Sequence, residues 1–551
     1  MAVTPGYIFT FQHVHDPLAA TVRPVKREEI VKVRIILVLL ASLAAHTAQT
    51  QPLTIGIGDA VTSIDPHYLN SPTNKNVICN VYDALTDADN TINIVPSLAE
   101  SWRLIDDTTW EFKLRRDVKF HDGTPLTAED VKATYARVPR VPNAPQPFTT
   151  FIRLVRSIKV IDPHTLHMIT SSLDPILPNE AAQIRIIPAS QSGAPPEDFN
   201  SGKAAIGTGP MRFVSYQPGA GVELVRNDTY WGPKPHWGTV SFRFISDGAA
   251  RVAALLAGDM QVIDLVPTDA LANLRANDKI HVATAEVGLR HIFLALDQSR
   301  DGPTPFVTGP NGETLEKNPL RDARVRKALS IAISRKAIVE RVMEGVATAT
   351  GQMMPEGGFG WTSEIKVPAF DPDQAKKLLA EAGYPNGLKV TLHSTKGRYV
   401  NDTRIVQAVA QMWQRVGVQT SIELQPWSTY VSRVQRGEYS IMIGAVAAVT
   451  SESSQVLRSA MGTHDPPAGW GGFNWGRYSN PTLDALIVRA QSIADNNQRE
   501  QVLRQAMSIG ANDVANIPLH LQKTTWAMQR GLRYAGRSDD QTRVTDIRLA
   551  Q

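Results

Sequence analysis

A strand–helix–strand order in the second half of the chain constrains the fold more than any other feature. Residues 388–392 and 419–424 carry the apolar and polar pattern of strands. Between them, apolar residues recur at helical spacing from Ile405 to Val416, and Gly417 ends the pattern. Two strands joined by a helix lie parallel in one sheet. This order therefore predicts an α/β fold.

Two further helices are expected in the same half. Asp371 is suited to cap a helix whose first residue is Pro372, and Gly383 is suited to end it. A second apolar stripe runs from Val325 to Ala332. Stripes of this kind face a hydrophobic core, and we do not interpret them as cofactor-binding segments.

Length and composition indicate a multi-lobed globular protein. A chain of 551 residues is too long for one core, so two or three lobes are expected. Its 42% hydrophobic and 20% charged residues are ordinary for globular proteins. The net charge of +4 is nearly neutral, which argues against a dedicated nucleic-acid binder. Cys79 is the only cysteine, which excludes an internal disulfide and any cysteine-rich metal site.

The N-terminus predicts export. Four basic residues between positions 26 and 34 precede an apolar run at residues 35–45, which is too short to span a bilayer and fits a signal peptide. Cleavage is expected near residues 45–51, where no cysteine is present to carry a lipid anchor. The segment before this run is long and partly acidic, so translation is expected to start near Val31 or Val33; an unusually long leader is the alternative.

Catalytic motifs are absent from the sequence. It contains no GxxxxGK[ST], HExxH or GxSxG pattern. The glycines at 207 and 209 precede Pro210, which lacks the backbone donor that a phosphate loop needs. His121 and Asp122 are adjacent on a predicted turn and have no further ligands at metal-site spacing. An enzyme is therefore the weaker class, and no metal or cofactor is expected.

Residues 96–131 form a second informative run. Residues 110–115 alternate apolar and charged side chains, which predicts a half-buried strand. Residues 122–123 are Asp-Gly, a turn sequence, and Thr127 with Asp130 has the spacing of a helix capping box. The run predicts a strand, a turn and a capped helix.

This run closely resembles a signature of the extracytoplasmic solute-binding proteins of family 5, the receptors of peptide, nickel and related ABC importers. Ser334 stands where aspartate is usual in the family. The resemblance covers nearly all of the chain after the leader. The further stretches that look like family blocks, in the same order, are residues 207–213 with 226–231, 319–335, 371–387 and 478–484.

The resemblance implies an α/β, two-lobed periplasmic-binding-protein-like fold (type II, large cluster C type) with an extra subdomain on lobe I. The expected boundaries are 1–50 for the N-terminal extension and signal peptide, 51–92 for the first part of lobe I, 93–204 for the extra subdomain, 205–294 for the second part of lobe I, 295–520 for lobe II and 521–551 for the C-terminal return to lobe I. The polar stretch 300–318, rich in glycine and proline, is a candidate interlobe crossing.

The resemblance also implies a mechanism and partners. The two lobes close around a buried solute, and the closed periplasmic receptor docks on a membrane permease whose separate ATPase subunits supply the energy. The chain itself would need no cofactor and no nucleic acid, and we expect a monomer.

The substrate region departs from the peptide receptors of the family. Many of them carry a Gly-Trp…Asp stretch whose aspartate pairs with the α-ammonium of the peptide, but residues 439–448 contain neither tryptophan nor aspartate. The nearest acid is Glu452. Residues 450–458 look more like the glutathione-importer branch, as do residues 516–520 and 526–530.

A small peptide or glutathione-like ligand is therefore expected. Glu452 would hold its ammonium, and Arg290 or Arg458 its carboxylate, through charge-assisted hydrogen bonds. For each such residue, a surface ion pair or a core aromatic position is the alternative. The full set of predicted ligand contacts is Arg290, Trp427, Thr450, Ser451, Glu452, Arg458, Trp470 and Trp475.

Other functions stay open from the sequence. The solute could be a nickel chelate, an opine or a sugar oligomer. A receptor that feeds a signalling protein would share the fold, and a secreted hydrolase is the alternative from a different class.

Overall fold

The computed structural model describes residues 52–145, 148–465 and 468–550. The predicted signal peptide lies outside these residues. Numbered in chain order, the strands are β1 (Pro52–Ile57), β2 (Thr86–Ala88), β3 (Ile94–Pro96), β4 (Ala99–Asp106), β5 (Thr109–Leu114), β6 (Val155–Asp162), β7 (Thr165–Thr170), β8 (Met211–Gln217), β9 (Gly221–Arg226), β10 (Thr239–Phe244), β11 (Val262–Ile263), β12 (Ile280–Thr284), β13 (Arg290–Leu296), β14 (Val307–Thr308), β15 (Ala347–Ala349), β16 (Leu388–Thr395), β17 (Val418–Gln425), β18 (Ile441–Ala447), β19 (Ile517–Gln522), β20 (Thr525–Gln529), β21 (Leu532–Arg533) and β22 (Arg548–Leu549).

The helices pack around these strands, and none of them within the described ranges is long and apolar enough to cross a bilayer. They are α1 (Pro72–Val81), α2 (Ala128–Arg137), α3 (Leu177–Ala181), α4 (Pro196–Asn200), α5 (Gly248–Ala257), α6 (Leu271–Ala276), α7 (Ala323–Ile331), α8 (Arg335–Ala337), α9 (Pro372–Glu381), α10 (Asp402–Gln414), α11 (Trp427–Gln435), α12 (Ser453–Ala460), α13 (Pro481–Gln491) and α14 (Asn496–Asn512).

Lobe I is built on a seven-stranded sheet in the order β12-β20-β11-β1-β10-β9-β8. The first strand of the described chain lies inside this sheet and pairs in parallel with both β10 and β11. Strand β20 comes from the C-terminal part of the chain, so lobe I is assembled from segments that are far apart in sequence. Its core includes the fully buried Trp526, whose indole donates to the Thr542 hydroxyl at 2.9 Å.

Lobe II is built on a second seven-stranded sheet in the order β14-β16-β18-β13-β19-β15, with β17 paired to β16. Strands β16 and β17 are parallel along their whole length and are joined by α10, which confirms the predicted strand–helix–strand unit. Helix α9 is capped by Asp371, whose carboxylate accepts the Gln374 amide at 2.9 Å, and Gly383 follows it with a φ of +97°. The buried Trp413 ties α10 to α7 by donating to the Leu329 carbonyl at 2.9 Å.

The extra subdomain contains a four-stranded antiparallel sheet in the order β4-β5-β7-β6. Phe112 and Leu114 of β5 are buried, as their alternation predicts. The capping box is also present, because the Asp130 carboxylate accepts the Thr127 amide at 2.8 Å. Together with the two large sheets, this subdomain confirms the expected α/β, two-lobed fold with an extra subdomain.

The interpretation of residues 300–318 as an interlobe crossing is wrong. Strand β14 lies in this stretch and pairs with β16 inside the lobe II sheet. Asn318 is buried and donates to the Asp297 carbonyl at 2.9 Å. The glycines and prolines of this stretch therefore form a loop on one lobe. Composition alone does not distinguish a surface loop from a connection between lobes.

Candidate functional site

Two short segments connect the lobes. The chain passes from β12 to β13 and returns from β19 to β20. These segments lie side by side, since the Ala285 amide donates to the Thr524 carbonyl at 2.9 Å. A Cβ at Gly288 would lie 2.4 Å from the Gln522 carbonyl oxygen, so a side chain there would force the strands apart. Paired connections of this kind permit hinge motion of two rigid bodies.

A cavity of about 290 Å³ lies beside these connections, and we call it the interlobe cavity. Lobe I contributes residues 57–59 and 264–265, lobe II contributes residues 397–400, and the connections contribute Arg290 and Thr524. Residues of both lobes thus line one cavity, which is partly open to solvent because Asp59 and Arg398 are exposed. Small-molecule sites at the junction of two domains commonly have this arrangement.

The charges of the interlobe cavity are balanced. Positive and negative side chains are equal in number, which suits a ligand that carries both signs. The charged lining residues are Arg251, Arg290, Arg398, Asp59, Asp264 and Asp540.

Asp264 is the most deeply buried of these acids. Its carboxylate accepts the Gly58 amide at 2.8 Å. Burial raises the pKa of Asp264 to about 7, against the opposing charge of Arg251. The Arg251 guanidinium is itself occupied by backbone carbonyls, including that of Leu265 at 2.8 Å. Arg251 therefore supports the wall of the cavity and has few donors left for a solute.

Arg290 and Asp540 form a loose pair at the hinge. Their closest nitrogen–oxygen distance is 3.5 Å, at the outer limit of a hydrogen bond. Asp540 is held by the Thr524 hydroxyl at 2.5 Å. Burial raises the pKa of Asp540, and Arg290 opposes this effect. Because the pair is long, each partner has capacity for a further hydrogen bond.

Arg398 is the most available cation of the cavity. It lies in the loop that follows β16, with its guanidinium carbon 4.9 Å from the centre of the Trp427 ring. No ion pair of Arg398 is found within the described residues, and the side chain is exposed. The Asp402 carboxylate fixes this loop by accepting the backbone amides of Gly397 and Arg398 at 3.0 and 2.9 Å. Trp427 thus lies next to the cavity, behind the arginine.

Four of the predicted ligand residues lie elsewhere, in a second group that we call the seam cluster. It joins lobe II to the extra subdomain, because Asn179 donates to the Thr450 carbonyl at 2.7 Å and the Ser451 hydroxyl donates to the Ile92 carbonyl. Its members are Thr450, Ser451, Glu452 and Arg458 of lobe II with Asp174 and Glu180 of the extra subdomain.

Glu452 already has a cationic partner in the seam cluster. Its carboxylate lies 3.0 Å from the Arg499 guanidinium, and both side chains are buried. Burial raises the pKa of Glu452 while Arg499 opposes the shift. Burial also lowers the pKa of Arg458 to about 10, aided by Arg153. The ammonium role predicted for Glu452 would therefore require a ligand to share this ion pair.

The seam cluster is nevertheless under-satisfied. Several of its buried polar atoms have no hydrogen-bond partner within the described residues. These include Asp174 Oδ2 and Thr450 Oγ1, and the same holds for Nε and Nη1 of Arg499, the ion-pair partner of Glu452. Buried polar atoms form hydrogen bonds in most proteins, so unpaired atoms of this kind are unusual. A bound ligand would supply the missing partners, and the seam cluster therefore stays a candidate contact region.

Trp470 and Trp475 lie away from the interlobe cavity. Trp470 packs beside Gly462, where an added Cβ would approach its ring to 2.6 Å. Trp475 is 5% exposed and packs near Tyr430, with ring centroids 6.3 Å apart. Of the predicted set, Arg290 lines the interlobe cavity, and Trp427 lies beside it next to Arg398.

Sequence reasoning missed Arg398, Asp264 and Asp540. The sequence does contain a signal for Arg398, because this residue follows β16, a strand of the predicted parallel unit. Ligands of open α/β sheets bind beyond the carboxyl ends of parallel strands. No comparable local signal marks Asp264 or Asp540, which reach the cavity from lobe I and the C-terminal segment.

The chain belongs to the bacterial extracellular solute-binding proteins, family 5, whose middle region matches residues 93–466. It is thus a solute-binding protein of the kind that serves ABC importers, and the family is one of binding proteins. This confirms the resemblance on which the sequence analysis relied.

Relatives of known function bind different solutes. Heme-binding protein A of Haemophilus influenzae is 26% identical over 454 residues, covering 78% of this chain and 79% of that protein. Glutathione-binding protein GsiB of Shigella flexneri is 26% identical over 523 residues, covering 93% and 96%. In structure, the chain is similar to periplasmic binding protein DppA of Helicobacter pylori in complex with the peptide STSA, with a TM-score of 0.73, 21% identity and coverage of 91% and 98%.

Proposed function

We propose that this protein captures a small peptide or glutathione-like solute in the interlobe cavity and delivers it to the permease of an ABC importer. The observation that carries the proposal is the cavity itself, which both lobes line with three arginines and three aspartates. A zwitterionic solute presents an ammonium and a carboxylate to such a set. An uncharged sugar would form no charge-assisted hydrogen bond of a charged ligand group with these side chains.

The size of the cavity supports a small solute. Its volume of about 290 Å³ is at the lower end of the range for small-molecule sites. A solute that contacts Arg398 of lobe II and Asp264 of lobe I stabilises the closed arrangement by its differential affinity. The lobes already touch, since Asn401 donates to the Thr268 hydroxyl at 2.7 Å.

We assign Arg290 and Arg398 to the carboxylate of the solute, with Arg398 the better placed. The ammonium has two candidate partners, which are the Asp540 carboxylate and the predicted Glu452. Trp427 positions Arg398 through its ring. Thr450, Ser451 and Arg458 stay proposed contacts at the seam cluster. Trp470 and Trp475 stay proposed contacts on the basis of the sequence alone, because both lie away from the interlobe cavity.

Calorimetric titration with glutathione and a panel of dipeptides tests this function. We expect saturable binding at one site and a tenfold to hundredfold higher Kd in Arg398→Gln, because one charge-assisted hydrogen bond is worth about 1.5–3 kcal/mol. Arg404→Gln, an exposed arginine on α10, is the matched control and should bind as the parent protein does.

The same titration separates the two ammonium partners. Asp540→Asn should weaken binding if the hinge acid holds the ammonium, and Glu452→Ala should weaken it if the seam cluster does. Arg458→Ala tests whether the seam cluster holds the carboxylate. Binding of heme, a nickel–histidine chelate or an opine with no response to any peptide would overturn the proposed substrate class. Hydrolysis of the peptides during the titration would contradict a receptor.

A further inference from the structure

Two direct hydrogen bonds join lobe I and its extra subdomain to lobe II. The Asn179 side chain of α3 donates to the Thr450 carbonyl at 2.7 Å. The Ser451 hydroxyl donates to the carbonyl of Ile92, which lies in the loop between β2 and β3. We call these two hydrogen bonds, with their four residues, the seam latch.

Both partners of the second hydrogen bond have a strained backbone. The φ of Ile92 is +71° and that of Ser451 is +61°, in the left-handed region that favours glycine. For a β-branched residue such as isoleucine this conformation is a rare outlier. Strained residues persist only where the surrounding structure holds them, and they concentrate at switch regions. In this chain, two of them meet at one contact between the lobes.

The lobe I side of the seam latch is fixed by its own contacts. The Ile92 amide donates to the Asp89 carbonyl at 3.1 Å, and the Asp89 carboxylate accepts the Asn93 amide at 2.9 Å. The buried Arg537, from the C-terminal segment, donates to the Ala88 carbonyl at 2.7 Å and ties this loop to lobe I. The Ile92 carbonyl therefore moves with lobe I.

The lobe II side is fixed in a similar way. The Ser451 amide donates to the Ala448 carbonyl at 3.3 Å, in the turn that follows β18. The next residue, Glu452, is anchored by its buried ion pair with Arg499. Each half of the seam latch thus belongs to one rigid body. Because a hydrogen bond is lost beyond about 3.5 Å, separation of the lobes by more than about 1 Å at the seam breaks both contacts.

We propose that the seam latch holds the protein closed part of the time before a solute binds, and that it thereby sets the affinity for the solute. The two hydrogen bonds favour the closed arrangement, and the strain at Ile92 and Ser451 opposes it, which keeps both arrangements accessible. The apparent Kd of a receptor falls as the binding-competent state becomes more populated in advance. This inference rests on the proposed function, because capture between the lobes is what gives closure a role.

Distances between two spin labels, measured by pulsed electron paramagnetic resonance on the protein without added solute, test the seam latch. The substitutions Lys132→Cys on α2 and Lys376→Cys on α9 place one label on the extra subdomain and one on lobe II, both at exposed positions. The native Cys79 does not compete for the label, because its burial raises the pKa of the thiol to about 11. Native mass spectrometry verifies that no solute is bound.

We expect the parent protein to show a short-distance and a long-distance population. Asn179→Ala and Ser451→Ala each remove one donor and should lower the ratio of short-distance to long-distance molecules at least threefold. Two matched controls change exposed residues of the same types, and both should leave the ratio unchanged. They are Asn497→Ala on α14 and Ser363→Ala in the loop between β15 and α9.

A parent protein with only the long-distance population, or the parent ratio in both latch variants, would overturn the proposal. Because the two donors lie on opposite sides of the seam, a folding defect in one variant leaves the other to decide. The outcome is independent of the solute. A lower ratio in the latch variants, together with no binding of any peptide in the titration, would support the seam latch and refute the proposed substrate class.

Discussion

Asp402 shows how one buried carboxylate shapes the interlobe cavity. It is 2% exposed and lies at the first position of α10. Its oxygens accept the Thr395 hydroxyl at 2.7 Å and the Arg398 and Tyr399 amides at 2.9 and 3.3 Å. A carboxylate that accepts this many donors stabilises both the helix start and the loop before it.

Replacing Asp402 should loosen the loop that carries Arg398. We expect Asp402→Ala to lower the free energy of unfolding by about 1–3 kcal/mol, since several donors lose their acceptor. Solute affinity should fall as well, because Arg398 is no longer held in place. Urea unfolding and calorimetry measure the two effects. Asp373→Ala, an exposed acid in the first turn of α9, is the control and should change neither.

At the scale of single elements, the extra subdomain is stabilised at the start of α2. One Asp130 oxygen accepts the Thr127 amide at 2.8 Å, and the other accepts the Ala189 amide at 2.8 Å. One side chain therefore caps the helix and ties it to a distant loop. The sequence predicted the first contact from its spacing and gave no sign of the second.

Asp130→Ala should therefore destabilise the protein without impairing solute capture. Loss of a helix cap lowers stability by about 1 kcal/mol, and the lost tie to Ala189 adds to this. Urea unfolding should report the loss, while calorimetric titration should give the parent Kd. Glu129→Ala removes an exposed neighbour in the same turn and should change stability by less than about 0.5 kcal/mol. An equal effect of both variants would contradict the capping argument.

At the scale of the whole molecule, buried histidines make stability depend on pH. Burial lowers the pKa of His520 to about 3, of His291 to about 3 and of His67 to about 4. His520 and His291 lie on β19 and β13, the strands next to the hinge connections. Both strands belong to the lobe II sheet, so protonation of these two histidines would destabilise that lobe.

The sign of this effect follows from proton uptake. Below pH 6.5 the unfolded chain protonates its histidines, whereas the folded chain keeps these three neutral down to pH 3–4. These three histidines therefore make the free energy of unfolding fall as the pH is lowered from 6.5 towards 4, whereas buried acids with a raised pKa, such as Asp264, act in the opposite direction.

Unfolding in urea across this pH range measures the slope. His520→Gln should reduce the slope by up to about 1.4 kcal/mol per pH unit. His281→Gln, an exposed histidine on β12, is the control and should leave the slope unchanged. The same slope in His520→Gln and in the parent protein would contradict the argument.

The amino-acid sequence by itself determined the elements and the family. Capping residues such as Asp371 and Thr127, the stripe of α10 and the parallel order of β16 and β17 are local patterns, set by contacts within a few residues. The run at residues 96–131 was enough to indicate the solute-binding family. Local rules work here because the partners are close in the chain.

Only the tertiary structure decided which residues share the interlobe cavity. Asp264, Arg398 and Asp540 are each more than a hundred residues from the next along the chain. They meet because the β12–β13 and β19–β20 connections bring the chain back to the hinge. The same long-range packing gave Glu452 its partner Arg499 and packed Trp475 near Tyr430. Contacts of this kind leave no periodic trace in the sequence, because they depend on packing between segments that are far apart in the chain.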